Sequence, residues 1–549
     1  MLLKSNVIST PISAFLIRGG LFTFASLSIF GLSIFGLSFS SATYANDSAE
    51  LEELRALVQA LDQKVRVLDR KNEVAEEATI AKKKEAPVVK ASENGFSIES
   101  ADGENSIKLG GLIQYDYRSF DSGANDVRNR SDQRAGNLDA QGFHDANDTW
   151  LARRLRPNIQ GTLFGKYDYR FQEEFAGGNA SVVDAYIDGR FDPPFKVRVG
   201  KYKPFVGLER LQAASDIKFI ERSYVSNNIL PNRDQGISVY GDVLNSKLSY
   251  AFGINNGVVD GGNASAASEF DGDKEFTARL FATPFKDEIS ALSGLGFGIA
   301  ATYTDATAEK NLNFTDTSAA DGTRNGLPSY VTNSQQTFFR YSANTIADGK
   351  RLRIAPQAYY FNGAFGLLAE YANVSQGASL ASGGSPAAGG SGSNSIITPG
   401  THKTINNNAW QLAATYLITG EDASFKSIKP KTNFDVNNGG WGAWELALRY
   451  SELNVDEDVF KSASGAFANQ TNATLLDAFA DPTLSAKKAS SWTAGVNWYL
   501  NSNAKIVLNY EQTSFQGGAG TGATFTTSGL AIKDRPDERA LLARFQVAF

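Results

Sequence analysis

From Ser106 to Phe549, apolar side chains recur at every second position in runs of roughly ten residues. Residues 151–175, LARRLRPNIQGTLFGKYDYRFQEEF, show the pattern twice. Successive side chains of a strand point to opposite faces. Leu151, Leu155, Ile159 and Leu163 therefore share one face, and Arg154, Arg156, Asn158, Gln160 and Thr162 the other. After a break at Gly165-Lys166, Tyr167, Tyr169 and Phe171 oppose Asp168, Arg170, Gln172 and Glu174. Two alternating runs across a tight turn predict a β-hairpin. A half-buried sheet of a soluble protein would give the same local pattern. The remaining runs decide: Ile107–Tyr117, Phe195–Val199, Ile237–Val243, Leu248–Ile254, Phe276–Leu280, Trp410–Ile418, Trp444–Tyr450, Trp492–Leu500 and Ile506–Tyr510 all alternate, with aromatic residues gathered at their ends. Roughly ten alternating residues is the length of a tilted membrane-crossing strand, and end-clustered aromatics match interfacial girdles.

The connections support a barrel. Short ones (165–166, 192–194, 244–246) alternate with long polar ones (119–150, 203–234, 256–274, 306–334). Outer-membrane barrels have short turns at one end and long loops at the other. Counting every alternating run gives seventeen strands. Removing Gln335–Tyr341 restores the short–long alternation and leaves sixteen, an even number. The Gly/Ser-rich stretch 376–400 then reads as an external loop, and 419–442 as a turn longer than its counterparts. The predicted fold is an all-β, 16-stranded antiparallel transmembrane β-barrel over 106–549. The terminal strand, ending Phe545, Val547, Phe549, resembles the C-terminal signal of bacterial outer-membrane barrels.

Upstream the pattern changes. Lys4 and Arg18 precede an apolar Leu21–Phe39 and the small-residue stretch Ala42-Thr43-Tyr44-Ala45, which predicts a signal peptide over 1–45. Leu51, Val58 and Val65 recur at one heptad position and Leu54, Leu61 and Leu68 at another, with acids and bases between them. This predicts a coiled-coil stalk of about three heptads over 46–85, too short to form without a partner. A Lys-rich end and Pro87 lead into a linker, 86–105. The stalk is expected in the periplasm and the barrel in the Gram-negative outer membrane, against its lipid.

Composition narrows the chemistry. The 549 residues include 51 Gly, 36 Phe and 20 Tyr but no Cys, which excludes disulfides and thiolate metal sites. The two His, His144 and His402, lie in polar stretches, so a His-containing triad or His-rich zinc site has almost no material. No cofactor, metal or catalytic site is expected, and no nucleotide, dinucleotide or calcium motif occurs in a suitable context. No nucleic-acid partner is expected. The formal charge is −6, moving to −8 once residues 1–45, with Lys4 and Arg18 and no acids, are removed.

If the apolar faces meet lipid, the alternate faces line a lumen. By strand parity that inner face carries Arg154, Arg156, Arg170, Arg198, Arg279, Arg353 and Arg449 with fewer acids, a basic lining inside an acidic chain. Rings of Arg and Lys favour anions, and Arg matches oxyanions with paired donors. Pairing with wall acids is the competing role for any one of them. Segment 203–234 has apolar residues of its own, including Leu208, Leu211, Phe219 and Ile220, and is expected to fold inward with a short helix at Leu208–Ala214. It would bring Arg210, Lys218 and Arg222 to a constriction.

Several stretches resemble the phosphate-selective porin O and P family: GGLIQYDYRSFDS (110–122), RRLRPNIQGTLFGKYDYRFQEEF (153–175), DAYIDGRFDPPFKVRVGKYKPFVGLERLQAASDIKFIER (184–222), GWGAWELALRYSELNV (440–455), TAGVNWYLNSNAKIVLNY (493–510) and ARFQVAF (543–549). The resemblance implies a homotrimer of sixteen-stranded barrels, a third external loop folded inward, and passive diffusion of phosphate or other small anions. It also implies that Arg153, which parity places outward, joins Arg154 as a paired-arginine site, and that Arg210 lies on the constriction loop. Leu112, Val183 and Ala213 depart from the phosphate-selective pattern, which carries an Arg, an acid and a hydroxyl there. A general, weakly selective channel and a structural tether acting through the stalk are the alternatives.

Overall fold

The computed structural model describes residues 47–92, 95–121, 148–178, 180–264, 272–307, 325–342, 344–382, 396–398, 400–461, 478–482, 484–526 and 529–549. The signal-peptide segment 1–45 and His144 lie outside them. Residues Asp47–Glu85 form one 39-residue helix, α1, on which Leu51, Leu54, Val58, Leu61, Val65 and Leu68 are all exposed.

Among the described residues, sixteen antiparallel strands close into a barrel. They are β1 (Ser106–Phe120), β2 (Thr149–Leu163), β3 (Tyr167–Glu174), β4 (Ser181–Asp192), β5 (Phe195–Tyr202), β6 (Asp234–Val243), β7 (Leu248–Asn255) and β8 (Glu275–Ala282). They continue as β9 (Leu295–Thr307), β10 (Thr345–Asn362), β11 (Phe365–Ser382), β12 (Lys403–Leu417), β13 (Ala443–Asn454), β14 (Ala486–Tyr499), β15 (Ala504–Thr526) and β16 (Glu538–Ala548). Each pairs with its chain neighbour, and β16 returns to β1 from Ala540↔Phe120 to Ala548↔Leu112. Phe549 and Gly111 exchange backbone hydrogen bonds at 2.9 and 3.1 Å and complete the seam. The seam requires glycine. A Cβ on Gly110 would lie 2.6 Å from the Phe549 carbonyl oxygen. Gly110→Ala is therefore expected to cost about 1–3 kcal/mol through overpacking, read as a lower temperature for loss of the fast-migrating folded band on detergent gels.

The even-numbered count rests on the fate of Gln335–Tyr341. Thr337–Arg340 does form a strand, but it pairs with Ser329–Val331 in a separate hairpin and not with the wall. Stretch 376–400 is not all loop, because β11 runs to Ser382. The linker 86–105 contains a second hairpin, Val88–Ser92 with Gly95–Glu99. It pairs with the start of β1 (Phe96↔Leu109 to Glu99↔Ser106), beyond the end of β16.

Outward-facing Leu109, Ile113, Phe252, Ile254, Leu412, Leu446, Leu448 and Leu508 are exposed, as a lipid-facing surface requires. Trp444 stacks on Trp498 with ring centroids 4.9 Å apart at the short-turn end, and Trp410–Tyr450–Trp492 pair at 5.1 and 4.9 Å midway along β12–β14. The inner face is less uniform than alternation suggests. On β10–β14 it carries Ala355, Ala372, Val374, Ala378, Ala409 and Ala489, all buried. These small residues pack an apolar cluster of Val206, Tyr224, Ile229, Leu230, Tyr330, Phe338 and Phe339, supplied by infolded segments. One side of the interior is thus a dry core.

Candidate functional site

Among the described residues, several segments enter the barrel, and three of them shape the constriction. The first is 203–233, between β5 and β6, with a helical turn at Leu208–Leu211, shorter than the predicted Leu208–Ala214, and a π-helical turn at Val225–Ile229. Its backbone is fixed to the wall at many points. Glu370 on β11 accepts the Leu208 and Glu209 N–H groups at 2.5 and 3.2 Å. The carbonyls of Ile217, Lys218, Ile220 and Glu221 accept from Lys505 (2.8 Å), Asn497 (2.9 Å), Arg544 (2.6 Å) and Arg449 (2.9 Å). The Ile220 N–H donates to Asn509 at 2.7 Å. A loop held this way does not float, as its apolar content foretold.

The second segment is the 329–340 hairpin. Asn228 on the first segment and Val331 exchange two hydrogen bonds of 2.9 Å. The third is the long 418–442 turn. Its Ala423 and Ile428 pack on Leu417, Ala443 and Tyr499, and the carbonyls of Phe425 and Lys426 accept from Gln212 (2.7 Å) and Lys218 (2.9 Å). Its length is explained by this reach to the constriction segment.

Arg153 and Arg154 both face inward because β2 bulges. Gln114 pairs with Arg154, but the next β1 residue, Tyr115, pairs with Ala152, so Arg153 is the extra residue. A bulge re-aims a side chain in this way. It also reverses the residues before it. Leu151, assigned by parity to the lipid face, sits opposite Asp116 on the inner face, and Trp150 faces out against Tyr117, with ring centroids 4.7 Å apart. A second bulge skips Val183 between the pairs Gln172↔Asp184 and Glu173↔Val182, and Val183 is buried beside Asp184. Leu112 is buried opposite Arg156, while Ala213 is exposed on the loop. The inner positions of Leu112 and Val183 therefore offer no polar group.

The predicted basic residues divide by partner. Arg353, fully buried, binds Asp260 at 2.7 Å and Glu275 at 2.5 Å. Arg449 lies 3.6 Å from both Glu209 and Glu511 and stacks on Phe219 at 4.4 Å. Arg198 pairs with Asp188 and lies 4.2 Å over the Tyr186 ring. Arg156 donates to Glu174 at 2.6 Å, and Arg170 lies 3.6 Å from Asp184. Arg153 donates twice to Glu221, at 2.5 and 3.1 Å, and Arg154 to Gln114 at 2.6 Å. For Arg353 and Arg449, wall pairing is the observed role.

A different set is held by neutral oxygens. Arg222 donates to the Glu209 and Gln212 carbonyls at 3.2 and 2.8 Å. Arg210 donates to the Ser226 carbonyl, and Lys203 to the Gln212 carbonyl at 2.7 Å. Arg279 binds the Gln357 side-chain oxygen at 3.1 Å. Lys218 adds Glu445 at 3.6 Å to its carbonyl partner. A carbonyl oxygen fixes a cation's position without cancelling its charge. Arg222 is in electrostatic contact with Arg156 and Arg233, and Lys203 with Arg210, Arg222 and Arg233. The acids among them are Glu174, Asp184, Glu209, Glu221 and Glu370.

Lys203 and Arg233 were not legible as site residues. Both flank strand ends, where parity stops, and only their basic character within the infolding segment marked them. Towards the short-turn end, Lys90, Lys108, Arg170, Tyr186 and Arg198 line a polar cavity of about 630 Å³ with Asp168 and Asp188. Solvent reaches charges on this side: the Arg153 and Arg170 side chains are 26% and 31% exposed, against 0% for Arg353 and Arg449.

A closed sixteen-stranded barrel, apolar outside and lined with fixed charges inside, defines an outer-membrane channel. The chain matches the family model described as phosphate-selective porin O and P over residues 107–549, and it belongs to that family. It is an integral outer-membrane porin. It is 23% identical over 448 residues to Porin O of Pseudomonas aeruginosa, a match covering 77% of this chain and 86% of that protein. Similar solved structures include the outer-membrane channel DcaP of Acinetobacter baumannii (10% identity, 83% of this chain and 99% of that one, TM-score 0.45). Another is the anion-selective porin from Comamonas acidovorans (11% identity, 81% and 100%, TM-score 0.40).

Proposed function

We propose that the barrel forms a water-filled, anion-preferring channel for passive diffusion of phosphate or other small anions, working as a homotrimer. The observation that supports this most is the charge state of the constriction segment. Among the described residues, Lys203, Arg210 and Arg222 are held by carbonyl oxygens and form no ion pair, so their field is left for a passing anion. Arg154, bonded to the Gln114 oxygen, extends that field on β2, whereas Arg153, Arg156, Arg170 and Arg198 line the same wall paired with Glu221, Glu174, Asp184 and Asp188. Arg279 adds charge on β8, and Lys218 lies on the constriction segment beside Glu445. Family membership supports the phosphate class.

Leu112, Val183 and Ala213 favour a weaker discrimination among anions, because they supply no donor or acceptor side chain where a selective site needs one. Recording single channels of the mature protein in planar bilayers separates the two. A reversal potential of anionic sign in a KCl gradient, with saturable phosphate block of the chloride current, is the expected result. Anionic reversal without block would leave a general anion porin, and cationic reversal would refute the charge argument.

We also propose that residues 1–45 are an export signal and that 46–85 is a periplasmic coiled-coil stalk whose exposed Leu and Val positions meet the same positions of other copies. Deleting 46–85 is expected to leave conductance intact. Lost envelope integrity with conductance preserved would instead support a tethering role.

A further inference from the structure

Four guanidinium groups converge on the carboxylate of Glu221. Arg153 reaches it through two nitrogens at 2.5 and 3.1 Å and Arg118 at 2.7 Å, with Arg154 and Arg544 each at 3.8 Å. The carboxylate is 1% exposed. This is the paired-donor geometry with which arginines receive an oxyanion, and a residue of the constriction segment already occupies it.

The partners of these arginines differ. Arg544 grips Asp116 through two nitrogens at 2.6 and 2.8 Å, and Arg118 adds Asp116 at 3.1 Å. Arg154 has the Gln114 oxygen. Arg153 forms an ion pair with Glu221 and with no other acid among the described residues. It is also the most exposed of the four. Glu221 therefore silences the one arginine of the group that the β2 bulge aims at the water-accessible side.

We propose that Glu221 is a built-in anion that competes with the solute for Arg153 and so sets how loosely the constriction holds a passing anion. The proposal rests on the anion-channel reading above. A diffusion pore gains from it, since a site must release its solute as readily as it admits it.

Glu221→Gln keeps the shape and removes the charge. The segment should stay in place, because the backbone of 217–221 is held by Lys505, Asn497, Arg544, Arg449 and Asn509 independently of this side chain. In planar bilayers, the phosphate concentration that halves the chloride current is expected to fall about tenfold. Adding Arg153→Ala should abolish that gain. An anion-preferring wild type whose folded Glu221→Gln channel blocks no more readily would overturn the proposal, as would a gain that survives Arg153→Ala. If Glu221→Gln does not assemble, Glu221→Asp decides: its shorter reach should give a gain of about threefold, and an unchanged half-block would overturn the proposal. A wild type without anion preference would instead remove the reading beneath it.

Discussion

Lys203→Glu combined with Arg222→Glu is expected to reverse the ion preference of the channel, so that the zero-current potential in a KCl gradient changes sign. Both side chains are pinned by carbonyl oxygens of the constriction segment, at 2.7 Å for Lys203 and 2.8 and 3.2 Å for Arg222. Neither forms an ion pair among the described residues, although Glu209 attracts Arg222 and Asp184 attracts Lys203, so each substitution reverses one local charge. At an effective dielectric of about 20, a unit charge acts on an ion about 6 Å away with about 3 kcal/mol. Two reversals exceed what the neighbouring Arg156 and Arg233 retain after their pairing with Glu174 and Asp184. The effect should shrink as salt rises, because the screening length falls from about 10 Å at 0.1 M to about 3 Å at 1 M. Arg353→Met, at a fully paired position, should leave the sign of the potential unchanged. A double variant with wild-type reversal at low salt would show that the selectivity lies elsewhere in the lumen.

The contrast between these positions shows what strand periodicity can and cannot reveal. Alternation reports which face a side chain takes, and it placed Arg154, Arg156, Arg353 and Arg449 on the inner face correctly. It carries no information about partners, which come from strands and loops distant in the chain. Arg353 meets Asp260 from an external loop, and Arg449 meets Glu209 from the constriction segment. Parity also fails wherever a residue is inserted. The β2 bulge turned Arg153 inward and Leu151 with it, and nothing in the alternating pattern announced the extra residue. Family resemblance recovered Arg153 because the paired arginines were visible as a motif. The 203–234 loop was legible because its apolar residues had to be buried somewhere. The same argument applies to Tyr330, Phe338 and Phe339, but the alternation of Gln335–Tyr341 reports only a strand and not where it goes. The inner faces of β10–β14 held the matching clue. Ala372, Val374 and Ala409 are poor linings for water and good walls for an infolded hairpin.

That hairpin depends on a buried charge, and the largest stability loss is expected there. Arg353 donates to Asp260 at 2.7 Å, to Glu275 at 2.5 Å, to Thr302 at 3.3 Å and to the Val258 carbonyl at 2.8 Å. Asp260 in turn accepts the Tyr330 hydroxyl of the hairpin at 3.2 Å, and Tyr330 accepts from Asn407 at 2.8 Å. One guanidinium thus ties the loop after β7, the inner hairpin and the wall strands β8–β10 together. Arg353→Met preserves much of the volume and leaves two buried carboxylates. Glu275 keeps Arg351 at 3.5 Å, but Asp260 has no second ion-pair partner among the described residues. Breaking such a pair costs about 3–5 kcal/mol, because the buried Asp260 charge is left with only the more distant field of Arg351 and the Tyr330 hydroxyl. The folded band should be lost at a lower temperature on detergent gels, and single-channel current should become noisier as the hairpin loosens. Adding Asp260→Asn removes the orphaned charge while retaining an acceptor for Tyr330. Most of the lost stability should return in that double variant. A loss as large in the double as in the single variant would mean that Arg353 acts by packing alone.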